Sequence, residues 1–132
     1  MEILKVKTKN REIGNLGEKI AAKYLKKQGY KILCKNYVAE GNEIDIIAKD
    51  GETVAFIEVK TRSFKDGETL SPASAVTAEK QRKIIKTAKI YAAYCARDKI
   101  LRLDVIEVIL EEKRAKEINH IKNAFNINTS RG

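Results

Sequence analysis

Apolar side chains recur at helical spacing from Ile13 to Gln28. Ile13, Leu16, Gly17, Ile20, Ala21 and Tyr24 share one face, and Gly29 marks a stop. Ahead of them, Met1–Glu12 is polar and basic and reads as a mobile basic arm or frayed lead-in. Tyr30–Val38 then reads as a strand, and Glu40-Gly41-Asn42 as a turn. Glu43–Lys49 is a second strand. Asp50-Gly51 is a strong hairpin signal, and Thr53–Thr61, rich in Val, Ile and Phe, is the third strand. Ser63–Ser71 is polar and reads as a loop. Pro72, behind Ser71 as a cap, opens a helix running to about Ala96. Its apolar face is Val76, Ile84, Ile85, Ala88, Tyr91, Ala92 and Cys95, and packing gives no reason for Gln81 within that arc. Ile100–Leu110 is a fourth strand and Glu111–Lys116 a charged turn. Glu117–Phe125 fits either a short edge strand or a short terminal helix, and Thr129–Gly132 is a tail. The order predicts one α/β domain over residues 1–132, with an αβββαβ core and a mixed central sheet flanked by helices.

With Asp50-Gly51 as a two-residue loop, Ile47 opposes Val54, Asp45 opposes Phe56 and Glu43 opposes Glu58. Alternation then projects Glu43, Asp45, Glu58 and Lys60 from one side, with Asp45 diagonal to Glu58. A loop of three residues would break that parity. Strands carry alternating charge wherever one face is wet. Against that, Asp45 sits inside Ile-Asp-Ile-Ile-Ala and Glu58 inside Phe-Ile-Glu-Val, and acidic residues are poor strand formers. The two readings are evenly matched. Carboxylates this close repel unless something positive lies among them, and a hard divalent cation together with Lys60 would supply it. Glu18 lies at the rim of the first helix's apolar stripe. It either reaches a site at the sheet edge or is a solvated charge.

The 132-residue chain has Lys plus Arg of 27 against Asp plus Glu of 18, for a net charge of +9. Such an excess on a small domain favours a polyanion, nucleic acid before an anionic membrane. No apolar run approaches the roughly 20 residues of a membrane span, and no apolar segment follows the basic start as a secretory signal requires. Cys34 and Cys95 stand far apart with no Cys or His beside either, so neither a zinc site nor a disulfide framework is expected, and the chain reads as cytoplasmic. A single His, His120, cannot build a His-based metal cluster and reads as structural or surface rather than a general base. Asp104 suits a pair with Arg102 or a Lys better than a further site carboxylate. Tyr91 and Tyr94 read as core and rim. Aromatics of 6% argue against a base-stacking single-strand binder. Arg82, Lys83, Lys86 and Lys89 lie opposite the apolar stripe of the second helix, with Lys80 nearer its rim. Such a run is commonly a solvated face, and the net charge favours phosphate contacts, to which Arg62, Lys65 and the basic arm could add.

These residues together resemble a known family. Gly14, Gly17-Glu18, Ala21 and Tyr24-Leu25 match its first helix. Gly41 and Glu43-Ile44-Asp45-Ile46-Ile47 match its Gly-Glu-Ile-Asp signature, and Phe56-Ile57-Glu58-Val59-Lys60-Thr61-Arg62 its strongest block. Lys80, Ala88, Arg102-Leu103-Asp104-Val105 and Asn123-Ala124-Phe125 complete the pattern. It is the YraN-like family of bacterial endonuclease-like proteins, similar to the PD-(D/E)xK nuclease superfamily and, within it, to archaeal Holliday-junction resolvases. Ile44 replaces that superfamily's Pro and Asn42 a second Gly, and neither change removes a ligand.

The resemblance implies a restriction-endonuclease-like fold and a metal-dependent DNA endonuclease, selective for structures such as junctions or flaps, in repair or recombination. It implies that Asp45, Glu58 and the backbone carbonyl of Val59 bind Mg2+ or Mn2+. Lys60 would stabilise charge on the phosphate or orient the attacking water. Glu18 would position a second metal or a metal-bound water, and Lys80 would lie beside the site. Glu43 is either an outer carboxylate or a charge-balancing or structural one. Two competing expectations are a nucleic-acid-binding module with little catalysis and an adaptor whose basic face docks an acidic partner. A homodimer would suit a junction, though nothing in the sequence demands one.

Overall fold

The computed structural model describes residues 2–64 and 76–127, with side chains described from Arg11 onward. In chain order it forms α1 (Glu2–Lys27), β1 (Lys31–Ala39), β2 (Asn42–Asp50), β3 (Thr53–Ser63), α2 (Ala78–Cys95), β4 (Ile100–Glu111) and β5 (Arg114–Phe125). The strands make one sheet in the order β1-β2-β3-β4-β5. β3 and β4 run parallel and the other neighbours antiparallel, so the sheet is mixed, as the sequence predicts.

Each face of the sheet has its own core because β3 alternates between them. Val54 and Phe56 join Ile84, Ile85, Ala88 and Ala92 of α2, together with Ile47, Leu103 and Val105. Ala55 and Ile57 join Ala21, Ala22 and Leu25 of α1, together with Ile46, Ile106 and Val108. A strand covered on both faces reads as a continuous apolar run, which is what Thr53–Ile57 looks like before the pattern turns polar at Glu58. Tyr91 of α2 meets Phe56 and Tyr37 edge to face, at centroid separations of 5.8 and 5.2 Å. Tyr94, expected at the rim, is fully on the surface at 84% exposure.

Several expectations change. The backbone is helical from Glu2, whereas Met1–Glu12 reads in the sequence as a mobile arm. Glu2, Leu4, Lys5, Lys7, Arg11 and Glu12 are good helix formers, and neither Gly nor Pro interrupts before Gly14. α1 ends at Gly29 (φ 92°), whose N–H bonds the Lys26 carbonyl at 3.1 Å, while the Tyr30 N–H bonds that of Leu25 at 2.9 Å. This is a Schellman end, sealed by two buried side chains, Leu25 and Tyr30. α2 starts at Ala78 rather than Pro72, because Thr77 is the cap and its hydroxyl accepts from the Lys80 N–H at 3.1 Å. Ser71 and Pro72 lie outside the described residues. Gln81 now has its reason: its side-chain amide donates to the Val76 carbonyl at 2.9 Å and ties the helix to the chain entering it. Glu117–Phe125 is strand, part of a longer β5 that begins at Arg114.

Asp104, completely buried on β4, anchors a polar network. Its carboxylate accepts from Arg102 Nε and Nη2, both at 2.9 Å, and from the Asn123 N–H at 3.0 Å. It also pairs with His120 Nε2 at 2.7 Å. His120 Nδ1 meets the Tyr24 hydroxyl of α1 at 3.1 Å, and Arg102 donates to the Tyr30 hydroxyl at 2.7 Å. The network joins α1 and its exit to β4 and β5, so His120 and Asp104 are structural.

Gly17 sets how closely α1 approaches the sheet. A Cβ built there would lie 1.8 Å from Thr61 Oγ1 and 2.9 Å from Thr61 Cβ on β3. Glu18 is the next residue, so this contact fixes its height over the sheet. Gly17→Ala is expected to lower stability by about 1–3 kcal/mol through overpacking. Chemical denaturation of Gly17→Ala, with and without Thr61→Ala, checks this: the second change should recover part of the loss.

Candidate metal centre

The β2–β3 hairpin turns at Gly51-Glu52, not at Asp50-Gly51. The pairs are Asp50↔Thr53, Lys49↔Val54, Ile47↔Phe56 and Ile46↔Ile57. Gly51 alone of the two turn residues has positive φ (59°), the arrangement of a II′ turn with Gly first. The shift is two residues, so facing parity survives while the partners change. The position after Ile46↔Ile57 brings Asp45 level with Glu58 rather than diagonal to it. There the side chain takes over from the backbone ladder, as the Val59 N–H donates to Asp45 Oδ2 at 2.8 Å. Strict alternation also lapses at this point, since Ile44 and Ile47 both pack on the α2 side while Ile46 packs under α1.

At this end of the sheet, Glu18 of α1 meets Glu43 and Asp45 of β2. Each offers a carboxylate oxygen, and the three lie within 4.8 Å of one another. Glu18 and Asp45 are half-buried and Glu43 is exposed. Asn36 of β1 joins them, with Nδ2 donating to Glu43 Oε1 at 2.7 Å and reaching Glu18 Oε1 and Oε2 at 3.4 and 3.5 Å. Glu58 is buried at 7% exposure and held by two ammonium groups, Lys60 and Lys80, each 3.8 Å from its Oε1.

Burial pushes the Glu18 carboxyl up to about 7, reinforced by repulsion from Asp45 and a hydrogen bond to it that needs the Glu18 proton. Burial likewise pushes Asp45 up to about 6, with repulsion from Glu58 adding to it and the Val59 N–H opposing it. Glu58 is also raised by burial, against the pull of Lys80 and Lys60. A region that holds protons this tightly is short of positive charge.

The donor set fits a hard divalent cation. The donors are all oxygens, and a six-coordinate ion with ligands at about 2.1 Å spaces them by roughly 3–4 Å, inside the 4.8 Å within which these three lie. Glu18, Glu43 and Asp45 could hold it, with Glu58 alongside Asp45. Glu43 is one of the three and the most exposed of them. Val59 is tied to Asp45 through its N–H.

The basic residues divide. Lys80, which the resemblance implies to lie beside the site, is 3.8 Å from Glu58 Oε1. Arg82, Lys83, Lys86 and Lys89 are exposed on α2, with Lys83 paired to Glu79 at 3.4 Å and Lys86 to Glu40 at 3.1 Å. Arg62, grouped in the sequence with the phosphate contacts, forms an ion pair with buried Glu107 at 3.2 Å and is largely covered. Lys65 lies outside the described residues. Asn36 escaped the sequence reading, and its signal there is a small amide amid strand formers, a residue type that tolerates positive φ.

The model of the uncharacterised protein family UPF0102 matches residues 17–108, which contain the carboxylates, both lysines and Asn36. A UPF0102 protein of Chlorobium chlorochromatii (strain CaD3) is 47% identical over 120 residues, covering 86% of this chain and 91% of the relative. One of Caldicellulosiruptor saccharolyticus is 45% identical over 118 residues, covering 87% and 98%. One of Clostridium botulinum (strain Kyoto / Type A2) is 49% identical over 122 residues, covering 89% and 97%.

The raised carboxyls have a consequence for stability. Ordinary values are 4.5 for Glu18 and 3.8 for Asp45, against about 7 and about 6 in the fold. Between these limits the folded state binds more protons than the unfolded one, so stability falls as pH rises. The contribution is fully present below the ordinary values and lost as pH passes through 6 to 7. Asp104 is held below its ordinary 3.8, so its own effect falls at lower pH, outside that window. In EDTA, the melting temperature should therefore fall between pH 5 and pH 8 more steeply for wild type than for Glu18→Gln/Asp45→Asn. Parallel melting profiles would contradict the assignment.

Proposed function

The chain belongs to the uncharacterised protein family UPF0102, and from its carboxylate centre we propose that it is a metal-dependent endonuclease acting on DNA, of the PD-(D/E)xK type. The observation that carries this reading is the carboxylate trio of Glu18, Glu43 and Asp45 beside Glu58 and its two lysines. The resemblance of Asp45 and Glu58-Val59-Lys60 to that superfamily supports it, as does the net charge of +9.

Phosphodiester hydrolysis needs an attacking hydroxide, neutralisation of charge on the phosphate and help for the leaving oxygen. A divalent ion supplies Lewis acidity and eases deprotonation of the attacking water. Asp45, with Glu58 beside it, would hold that ion together with Glu18 and Glu43, and the Val59 N–H keeps the Asp45 carboxylate oriented. Lys60, one-third exposed beside Glu58, offers an ammonium where negative charge grows on the phosphate. Lys80 brings a second ammonium to the same Glu58 oxygen, from α2. From Lys80, α2 carries Arg82, Lys83, Lys86 and Lys89 along its solvent side, in position to follow a phosphate backbone. No described helix is long and apolar enough to cross a membrane.

Incubation with a four-way junction, a flap and a linear duplex, with Mg2+ or Mn2+ and an EDTA control, tests the reading. Cleavage should require the metal, and Lys60→Ala should reduce turnover by at least about 100-fold, as loss of one charge-stabilising group does, with DNA affinity little changed. Salt-sensitive binding without metal-dependent cleavage would instead make the protein a binding module on this fold. Asp45→Asn is expected to lose divalent-metal binding by titration calorimetry. An unaltered isotherm would remove Asp45 from the ligand set.

A further inference from the structure

Asn36 lies in the middle of β1 with φ at 53°, in the left-handed region. The flanking pairs Lys35↔Ile46 and Tyr37↔Ile44 place it opposite Asp45. Alternation breaks here, since Cys34 and Tyr37, three positions apart, both pack on the α2 side. The left-handed residue thus re-aims one side chain out of the strand's pleat, much as a bulge does. That side chain is an amide whose nitrogen reaches carboxylates on two separate elements: Glu43 of β2 at 2.7 Å and Glu18 of α1 at 3.4 Å. An ionised carboxylate only accepts, so the amide must present its nitrogen to the pair.

We infer that Asn36 is the positioning residue of the metal centre, a neutral donor that holds Glu18 and Glu43 together across the gap between helix and sheet. The inference rests on the metal-dependent reading above. Its chemical sense lies in neutrality. Glu18 and Glu43 repel each other, and a lysine or arginine placed between them would join them while cancelling the charge that attracts a cation. An asparagine joins them and leaves that charge in place. Asparagine also takes a left-handed backbone more readily than other side chains of its length.

The test compares wild type, Asn36→Gly and Asn36→Asp by thermal melting and by Mn2+ titration of the EDTA-stripped protein. Glycine removes the amide and adopts the same φ without strain. Asn36→Gly should therefore melt within a few degrees of wild type yet bind Mn2+ at least tenfold more weakly. Equal affinity in the two proteins would overturn the positioning role and leave the metal reading intact. Failure of wild type itself to bind Mn2+ would overturn the metal reading, and the inference with it. Should Asn36→Gly fail to fold, Asn36→Asp decides, because it keeps the shape and replaces the donor with another carboxylate. Its melting temperature should fall below wild type in EDTA and recover in saturating Mn2+. A deficit equal in both conditions would mark Asn36 as merely structural and sink the proposal.

Discussion

Drawing four carboxylates together at one end of a sheet is unfavourable, and the local structure is organised around that cost. Water is partly excluded from Glu18, Asp45 and Glu58 because α1, β2 and β3 converge there. A buried charge persists only where something compensates it. Glu58 has two lysines. Asp45 has one backbone N–H, and Glu18 and Glu43 share one amide. The compensation is thus uneven. It is strong at Glu58 and weak in the trio, so the protons held there report a site suited to a cation.

Asp104 shows what the same sheet does with a carboxylate it intends to keep ionised. Burial alone would raise it, yet His120, Arg102 and the Asn123 N–H outweigh that and hold it below the usual range. Every donor around it comes from the chain, and β5 departs from regular register to supply one: Asn123, at φ 54°, sits where the pairing with β4 shifts. Asp104 is completely buried and completely satisfied, while Asp45 is half-buried and left short. Two aspartates on one sheet thus reach opposite electrostatic states, and the difference lies in how many donors the fold provides rather than in depth alone.

Much of this architecture was legible in the sequence, for identifiable reasons. Two-sided burial writes long apolar runs, so β3 and β4 were visible. An even error of two residues keeps Asp45 level with the Glu58 side of the hairpin, while the lapse in alternation between Ile44 and Ile47, which no periodicity shows, decides where Glu43 and Asp45 point. What escaped depends on information that periodicity does not hold. Turn position rests on which residue adopts positive φ, and both Asp50-Gly51 and Gly51-Glu52 are chemically acceptable. The early start of α1 escaped because a basic, polar segment looks alike whether helical or not. The pairing of Arg62 with Glu107 is set by strand order, and Asn36 is recognisable only once α1 is docked over β1 and β2.

The pairing of Arg62 bears directly on the lysine beside Glu58. In the parallel ladder, Lys60 sits level with Glu107 of β4. Glu107 is 3% exposed, and a buried carboxylate beside a lysine would ordinarily capture its ammonium. Asn119 donates to Oε1 at 3.1 Å, and Arg62, two residues along β3 from Lys60, forms an ion pair with Oε2 at 3.2 Å without an aligned hydrogen bond to that buried oxygen. A guanidinium is less strongly hydrated than an ammonium and tolerates burial better, so arginine suits the covered position and lysine the open one. Lys60 then turns to Glu58, at 3.8 Å and one-third exposed. The arginine that the sequence groups with phosphate contacts is thus ion-paired to a buried acid of the neighbouring strand, and the lysine level with that acid is ion-paired to Glu58.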